Sequence, residues 1–461
     1  MNPFVKVKTL VVDELHGKHN YRLDFNPDIN ILHGINGSGK STVLHILANI
    51  LNFDFQLFTF LNFSHINLIF EDDTYIEIVK LVDDDADSEH IFLTGGKPQE
   101  QRGTCNFSKR EAIECIKVLE ERPYDSPLEV HEQRHDLEVR INKFCKGIGL
   151  HKIETSYFPA FRTMLEAWSS SITRTKFVDR KRMERFARRT FGGFVPQLNY
   201  PTPSIVERQL SSEYFRASFE LSEKENEIFS DSFLRMFSKI GQENTKTKPI
   251  SEIIDNINSF EKHSDNFLSS IDLAPSKINS MKEALKVRYE QSMENPQLSN
   301  ALEVYSEALE EVNLEKYRLF SPINDYIGSV NYFLSGKTFR CFADVGINND
   351  KTARKLSPSN IRVGFDTGDN KLCTAVSLSS GERQLLTMLW AVNNLDSDTV
   401  VLIDEPEISL HIDWQTDLIG EMTKQMDNCQ LIICTHSPQI AADYESYMME
   451  VEPLASRQEK E

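Results

Sequence analysis

The sequence has no CxxC pair, no tandem repeat and no surplus of basic residues. Its seven cysteines (Cys105, Cys115, Cys145, Cys341, Cys373, Cys429 and Cys434) are odd in number and scattered. That excludes a disulfide framework or a cysteine-rich zinc site and fits reduced thiols in a cytoplasmic protein. The longest doubtful apolar stretch, residues 55–70, is uncharged but interrupted by Gln56, Asn62, Ser64, His65 and Asn67. It is shorter than the roughly 20 apolar residues of a membrane span. Lys6, Lys8, Asp13 and Glu14 break up the start, so it has no signal-peptide core. With 51 Lys and Arg against 70 Asp and Glu the net charge is −19, which argues against a surface that tracks a phosphate backbone throughout. Secreted and membrane classes are excluded. What remains, 461 residues at 40% hydrophobic and 26% charged, is a globular chain with room for two or three domains.

Hydrophobic periodicity divides the chain. KVKTLVV, YRLDF and INILH read as strands, STVLHILANIL as a helix, and INLIFEDDTYIEIVKL as a hairpin turning at Glu71-Asp72-Asp73. The run Asp83 to Asp87 reads as a solvated loop. From about 200 to 335 the spacing is helical, as in Val206, Leu210, Tyr214, Ala217 and Leu221, and in Leu302, Tyr305, Leu309 and Val312. Prolines 203, 249, 275, 296 and 322 are expected to cut this region into pieces of at most a few dozen residues, giving a compact insert rather than a long coiled-coil arm. Strands return in KTFRCFADV, IRVGF, KLCTAVSL, VVLI and QLIIC. The expected parts are 1–155, 156–335 and 336–461.

Gly34-Ile35-Asn36-Gly37-Ser38-Gly39-Lys40-Ser41 fits GxxxxGK[ST], with a strand before it and a helix after it. The glycines let main-chain N–H groups turn toward phosphates, Lys40 reaches the β and γ oxygens, and Ser41 suits Mg²⁺. Far downstream, Val400 to Ile403 form an apolar strand ending in Asp404-Glu405. Asp404 would hold Mg²⁺, and Glu405 would orient and deprotonate the attacking water. Lys40 and Asp404 stand 364 positions apart.

Just before the second site comes Leu378-Ser379-Ser380-Gly381-Glu382-Arg383-Gln384. In order, the phosphate loop, this LSSGE, the strand ending Asp404-Glu405, Ser409-Leu410-His411 and Thr435-His436-Ser437 resemble the motif set of ABC-type ATPases. Asn36 and Glu382 resemble the RecF and SMC side of that group rather than transporters. The resemblance implies an α/β fold, an ABC-type ATPase (P-loop) core with a mixed sheet plus a compact helical insertion. It also implies ATP and Mg²⁺ as cofactors. Asn36, Gly37, Ser38, Gly39, Lys40, Ser41 and Thr42 would bind the nucleotide. Two protomers would sandwich ATP head to tail, with Ser379, Ser380 and Gly381 contacting the γ-phosphate on the other protomer. His436 would sense that phosphate. Ser380 stands where the usual LSGGQ has the first of its two glycines, which points to slower hydrolysis.

LIDEPEISLHIDWQ, Phe158-Pro159-Ala160-Phe161-Arg162 and LSSGERQ resemble OLD-family nucleases and the stand-alone ATPases of antiphage systems such as PARIS and Septu. Only 25 residues follow His436, too few for the Toprim nuclease domain of the OLD family. The resemblance therefore implies a separate effector, a Toprim or HNH nuclease, with a phage-encoded trigger. Arg162 lies where ABC proteins place their glutamine loop; a nucleotide contact, a partner contact and a structural ion pair all stay open.

His131-Glu132-Gln133-Arg134-His135 matches HExxH, but Arg134 would set a cation beside the metal and no third ligand is evident, so a solvated helix is expected. Between Arg174 and Arg189, eight basic residues oppose two acidic ones, a net +6 that leaves −25 for the rest. Arg174, Arg180, Arg182, Arg185 and Arg188, interleaved with phenylalanines, are candidates for a protein partner or nucleic acid, against a solvated or internally paired helix face. The rival to defence is a RecF- or SMC-like DNA-repair or chromosome-maintenance ATPase that binds DNA itself.

Overall fold

The computed structural model describes residues 6–82, 89–99, 102–121, 136–165, 180–240, 271–272, 296–343, 361–368, 372–374, 377–393, 399–426 and 429–452. Asp83 to Asp87, the HExxH at 131–135, Arg174, Pro249 and Pro275 lie outside them. The chain forms two compact units, one of Met1–Tyr200 with Ala391–Glu461 and one of Pro201–Trp390. The seven cysteines are free thiols. Among the described residues no helix is long and apolar enough to cross a membrane.

The first unit holds two sheets. Strands β1 (Val7–Leu15), β2 (His19–Asp24) and β3 (Ile29–His33) are followed by helix α1 (Lys40–Leu51) and a 3₁₀ helix at Phe55–Phe60. Then come β4 (His65–Phe70), β5 (Tyr75–Val82), β6 (Glu89–Gly96), β7 (Gly103–Ser108), α2 (Lys109–Glu121), α3 (Asp136–Gly147), β8 (Glu154–Phe158) and α4 (Arg180–Phe191). The antiparallel sheet runs β2-β1-β4-β5-β6-β7. Its strands alternate, burying Ile66, Leu68 and Phe70 on β4 and Ile76 and Ile78 on β5, as a sheet with one covered face requires. The expected hairpin is present, its turn closed by the Thr74 N–H donating to Asp72 Oδ1 at 3.0 Å.

In the second unit, α5 (Pro203–Ile240) and α6 (Pro296–Phe333) are each 38 residues long, about 57 Å at 1.5 Å per residue. They run antiparallel. Tyr214 meets Phe320, Phe229 meets Tyr305, and Arg318 donates to Glu220 at 3.0 Å. Prolines 203 and 296 open these helices, where the missing N–H costs nothing. The break expected at Pro322 does not occur: Pro322 lies inside α6. Phe320, Ile323, Tyr326 and Ile327 around it are buried, and their packing holds the helix through the lost hydrogen bond. This unit also contains β9 (Ile271–Asp272), β10 (Thr338–Ala343), β11 (Ile361–Asp366) and β12 (Leu372–Cys373), ordered β12-β11-β10-β9, and the start of α7 (Ser380–Asn393).

The chain then returns to the first unit with β13 (Thr399–Asp404), α8 (Ile412–Thr423), β14 (Gln430–Cys434) and β15 (Met448–Glu450). These complete a wholly parallel sheet, β15-β3-β14-β13-β8. Every residue of β13 and β14 is buried, which explains their unbroken apolar runs. Asp404 pairs with Cys434, Cys434 with Leu32, and Ile403 with Phe158. The carboxyl ends of four strands therefore lie level, at the edge where open parallel sheets collect their ligands.

Candidate functional site

The loop after β3 turns through left-handed backbone at Gly37 (φ 84°) and Gly39 (φ 86°), conformations that favour glycine. At Gly34, a Cβ would lie 2.9 Å from Val451 O and 3.0 Å from Ser38 Oγ. Asn36 and Gly37 are exposed at the crown of the loop, and Thr42 is half-buried on α1. Lys40 opens α1 and is buried; its Nζ donates to the carbonyls of Gly34 at 3.0 Å and Ile35 at 3.3 Å. From β2, Tyr21 donates its hydroxyl to Ser38 O at 2.8 Å and braces the loop. Sequence reasoning missed that brace, since no motif marks Tyr21.

Ser41 donates its hydroxyl to Asp404 Oδ1 at 3.1 Å, joining residues 363 positions apart. Asp404 is buried, and burial raises its carboxyl pKa against the opposing pull of Ser41, Arg162 and Lys40. Next to it, Glu405 has φ 51°, an uncommon backbone for a residue with a side chain. Its N–H donates to Cys434 O at 2.8 Å. Burial, helped by the Glu407 and Asp404 carboxylates, pushes the Glu405 carboxyl up to about 8, with Lys40 opposing. His436 Nε2 lies 3.3 Å from Glu405 Oε1. Burial and Lys40 lower the His436 imidazole. Both shifts disfavour the charged forms of the two side chains across this 3.3 Å approach.

Two further residues organise this edge. Glu407 Oε1 accepts from Thr435 Oγ1 (2.8 Å), His436 N–H (2.8 Å) and Ser437 N–H (2.9 Å). The only sequence signal for it was the Pro-Glu that follows Asp404-Glu405. Arg162, fully buried after β8, donates to the carbonyls of Pro159 (3.0 Å), Asp404 (2.9 Å) and Glu405 (3.0 Å). Its guanidinium thus caps the end of β13 from beneath. Ser409 has φ 68°, and His411 caps α8.

Ser379, Ser380 and Gly381 belong to the second unit. Ser379 and Glu382 form a capping box: Ser379 N–H donates to Glu382 Oε2 at 2.8 Å and Glu382 N–H to Ser379 Oγ at 3.3 Å. Lys337 Nζ stands 2.7 Å from Glu382 Oε1. Burial opposes ionisation of Glu382, but Lys337 and Ser379 outweigh it and hold the carboxyl below its ordinary range.

Of the basic residues, Arg180 opens α4, whose inner face buries Met183 and Ala187. Lys181 donates to Leu119 O at 3.2 Å, and Arg188 to Val195 O at 3.1 Å. Arg188 also lies 3.6 Å from Glu120 of α2. Arg185 lines a cavity of about 190 Å³ with Asp54, Glu120 and Lys181. Arg182 and Arg189 are exposed.

The residues suit a magnesium nucleotide. Ser38 Oγ is buried in the phosphate loop without a hydrogen-bond partner, and Lys40 supplies a cation beside it. Ser41 and Asp404 offer the oxygen donors a hard cation prefers. Among the described residues no group of three or more His, Cys, Asp or Glu could hold a metal.

A family model described as an AAA ATPase domain matches residues 17–441. The "Retron Ec83 probable ATPase" of Escherichia coli is 28% identical over 181 residues, 34% of this chain. The chain spans about a third of that relative, 32% of its length. Among solved structures, the Smc head domain from Pyrococcus furiosus bound to the C-terminal domain of ScpA has a TM-score of 0.36 at 11% identity, covering 95% of this chain and 92% of that one. The recombination mediator protein RecF-ATPrS has a TM-score of 0.30 at 13% identity, covering 95% and 94%.

Proposed function

The chain belongs to the AAA ATPase domain family, and on that premise we propose that it is a Mg²⁺-dependent ABC-type ATPase that pairs through shared ATP and controls a separate effector in phage defence. The observation that carries the catalytic part is the meeting of distant residues at one sheet edge, with Ser41 3.1 Å from Asp404 and His436 3.3 Å from Glu405. Lys40 would exchange two carbonyl acceptors for β- and γ-phosphate oxygens. Ser41 and Asp404 would hold Mg²⁺, which when bound supplies charge neutralisation at the phosphates. Glu405, once ionised, accepts the proton of the attacking water, and His436 faces the same space. Ser379, at the N-terminus of α7, would reach the nucleotide of a second copy.

The defence assignment is supported by the motif resemblance and by a retron-associated relative. Co-expression with a neighbouring nuclease gene of Toprim or HNH class, and joint purification with and without ATP, tests that partnership. For the chemistry the test is Glu405→Gln. ATP binding should persist while hydrolysis falls about a hundredfold or more, and light scattering should find nucleotide-bound dimers. Wild-type turnover in that variant refutes the assigned base. A second reading, an ATPase of DNA repair that grips DNA itself, is favoured by Arg182 and Arg189 on the open side of α4.

A further inference from the structure

The ends of β13 and β14 are tied together in both directions. Glu405 N–H donates to Cys434 O at 2.8 Å. In return, Thr435 Oγ1, His436 N–H and Ser437 N–H converge on one oxygen of Glu407 at 2.8, 2.8 and 2.9 Å. The other oxygen of Glu407, Oε2, is buried without a hydrogen-bond partner, so Oε1 alone carries these ties. Two of the three donors are main-chain groups, so they fix the backbone beneath the His436 ring. The ring itself is exposed and touches the described protein through Nε2 at 3.3 Å from Glu405. An exposed ring keeps its direction only if the chain under it is held. Glu407 supplies that hold and is anchored in turn, for Leu410 N–H donates to its carbonyl at 3.0 Å.

We propose that Glu407 is a positioning residue for ATP hydrolysis, presenting His436 to Glu405 and to the terminal phosphate. The inference rests on the roles given above to Glu405 and His436. It also gives the Pro-Glu after Asp404-Glu405 a physical purpose: the carboxylate sits two residues beyond Glu405, where it reaches across to the neighbouring strand end.

Two variants separate this from a purely structural role. Glu407→Gln keeps an oxygen for the three donors and loses the charge; Glu407→Ala loses both. The first measurement needs no nucleotide. In protein labelled at histidine Cε1, the His436 signal is identified among the 12 histidines by its loss in His436→Asn. In Glu407→Ala it should move to the position of a freely rotating imidazole, and in Glu407→Gln it should stay near its wild-type place. An unmoved signal in Glu407→Ala overturns the proposal, whatever the turnover. The second measurement is kinetic. Glu407→Ala should lower kcat about 10- to 100-fold while the Kd of a fluorescent ATP analogue changes less than about threefold, and Glu407→Gln should recover most of the rate. Adding His436→Asn to Glu407→Ala should cost no more than His436→Asn alone. Losses that multiply in the double variant, or a kcat that falls only in step with thermal stability, overturn it. Should Glu407→Ala fail to fold, Thr435→Val removes one donor and serves in both measurements. If Glu405→Gln hydrolyses normally, the base assignment falls instead, and the histidine signal still decides Glu407.

Discussion

Glu405 is held by neighbours that oppose its charge. It sits between two carboxylates in a half-buried turn, and its carboxyl is pushed up to about 8. A base must be ionised to act, so kcat/KM, which reports the nucleotide-free protein, should rise about tenfold per pH unit from pH 6 and level above pH 8. Glu405→Gln should lack that limb, and a flat wild-type profile would contradict the assignment. The same shift has a sign for stability. Because the folded value lies above the ordinary 4.5, the protonated side chain suits the fold, and its contribution is lost as pH rises from 4.5 through about 8. The neutral Gln variant should therefore gain in melting temperature relative to wild type across that window, and the difference should vanish below it. Lys40, Ser41, Asp404, Glu405 and His436 could all be named from contiguous motifs. Glu407, Tyr21 and the carbonyl contacts of Arg162 could not, because their partners are set by strand register.

At the scale of elements, β13 and β14 announced themselves as apolar runs because both of their faces are covered. The helices of the second unit were legible from spacing, and Pro203 and Pro296 marked their starts. Pro322 misled, since a proline stops a helix only when packing on both sides does not carry it through. Its own side chain is exposed while Phe320 and Ile323 are buried. Pro322→Ala should therefore restore a hydrogen bond without removing contacts, stabilising the helix pair by about 1–3 kcal/mol. Chemical denaturation followed by circular dichroism reads this as a raised midpoint. An unchanged or lowered midpoint would mean that α6 needs the proline's bend.

Charge belongs to the whole molecule. A net −19 repels polyanions at long range, so DNA binding, if this chain performs it, must come from a local site such as the exposed Arg182 and Arg189. Binding would then fall steeply with salt, and neutralising both arginines would reduce the slope of log affinity against log salt by about 2. Defence through a protein effector predicts weak DNA binding whose salt slope those substitutions leave alone. Gel shift or anisotropy at several salt concentrations distinguishes the two.

The sequence by itself determined the strand, glycine-rich loop and helix over 29–51 and the acidic strand end, because glycine φ values and hydrophobic period are properties of neighbouring residues. Tertiary structure alone decided that Ser41 meets Asp404, that Arg162 caps β13 and that Glu407 grips the turn after β14. Each of these depends on strand order and register within one parallel sheet, assembled from segments nearly four hundred residues apart, and no local pattern encodes that.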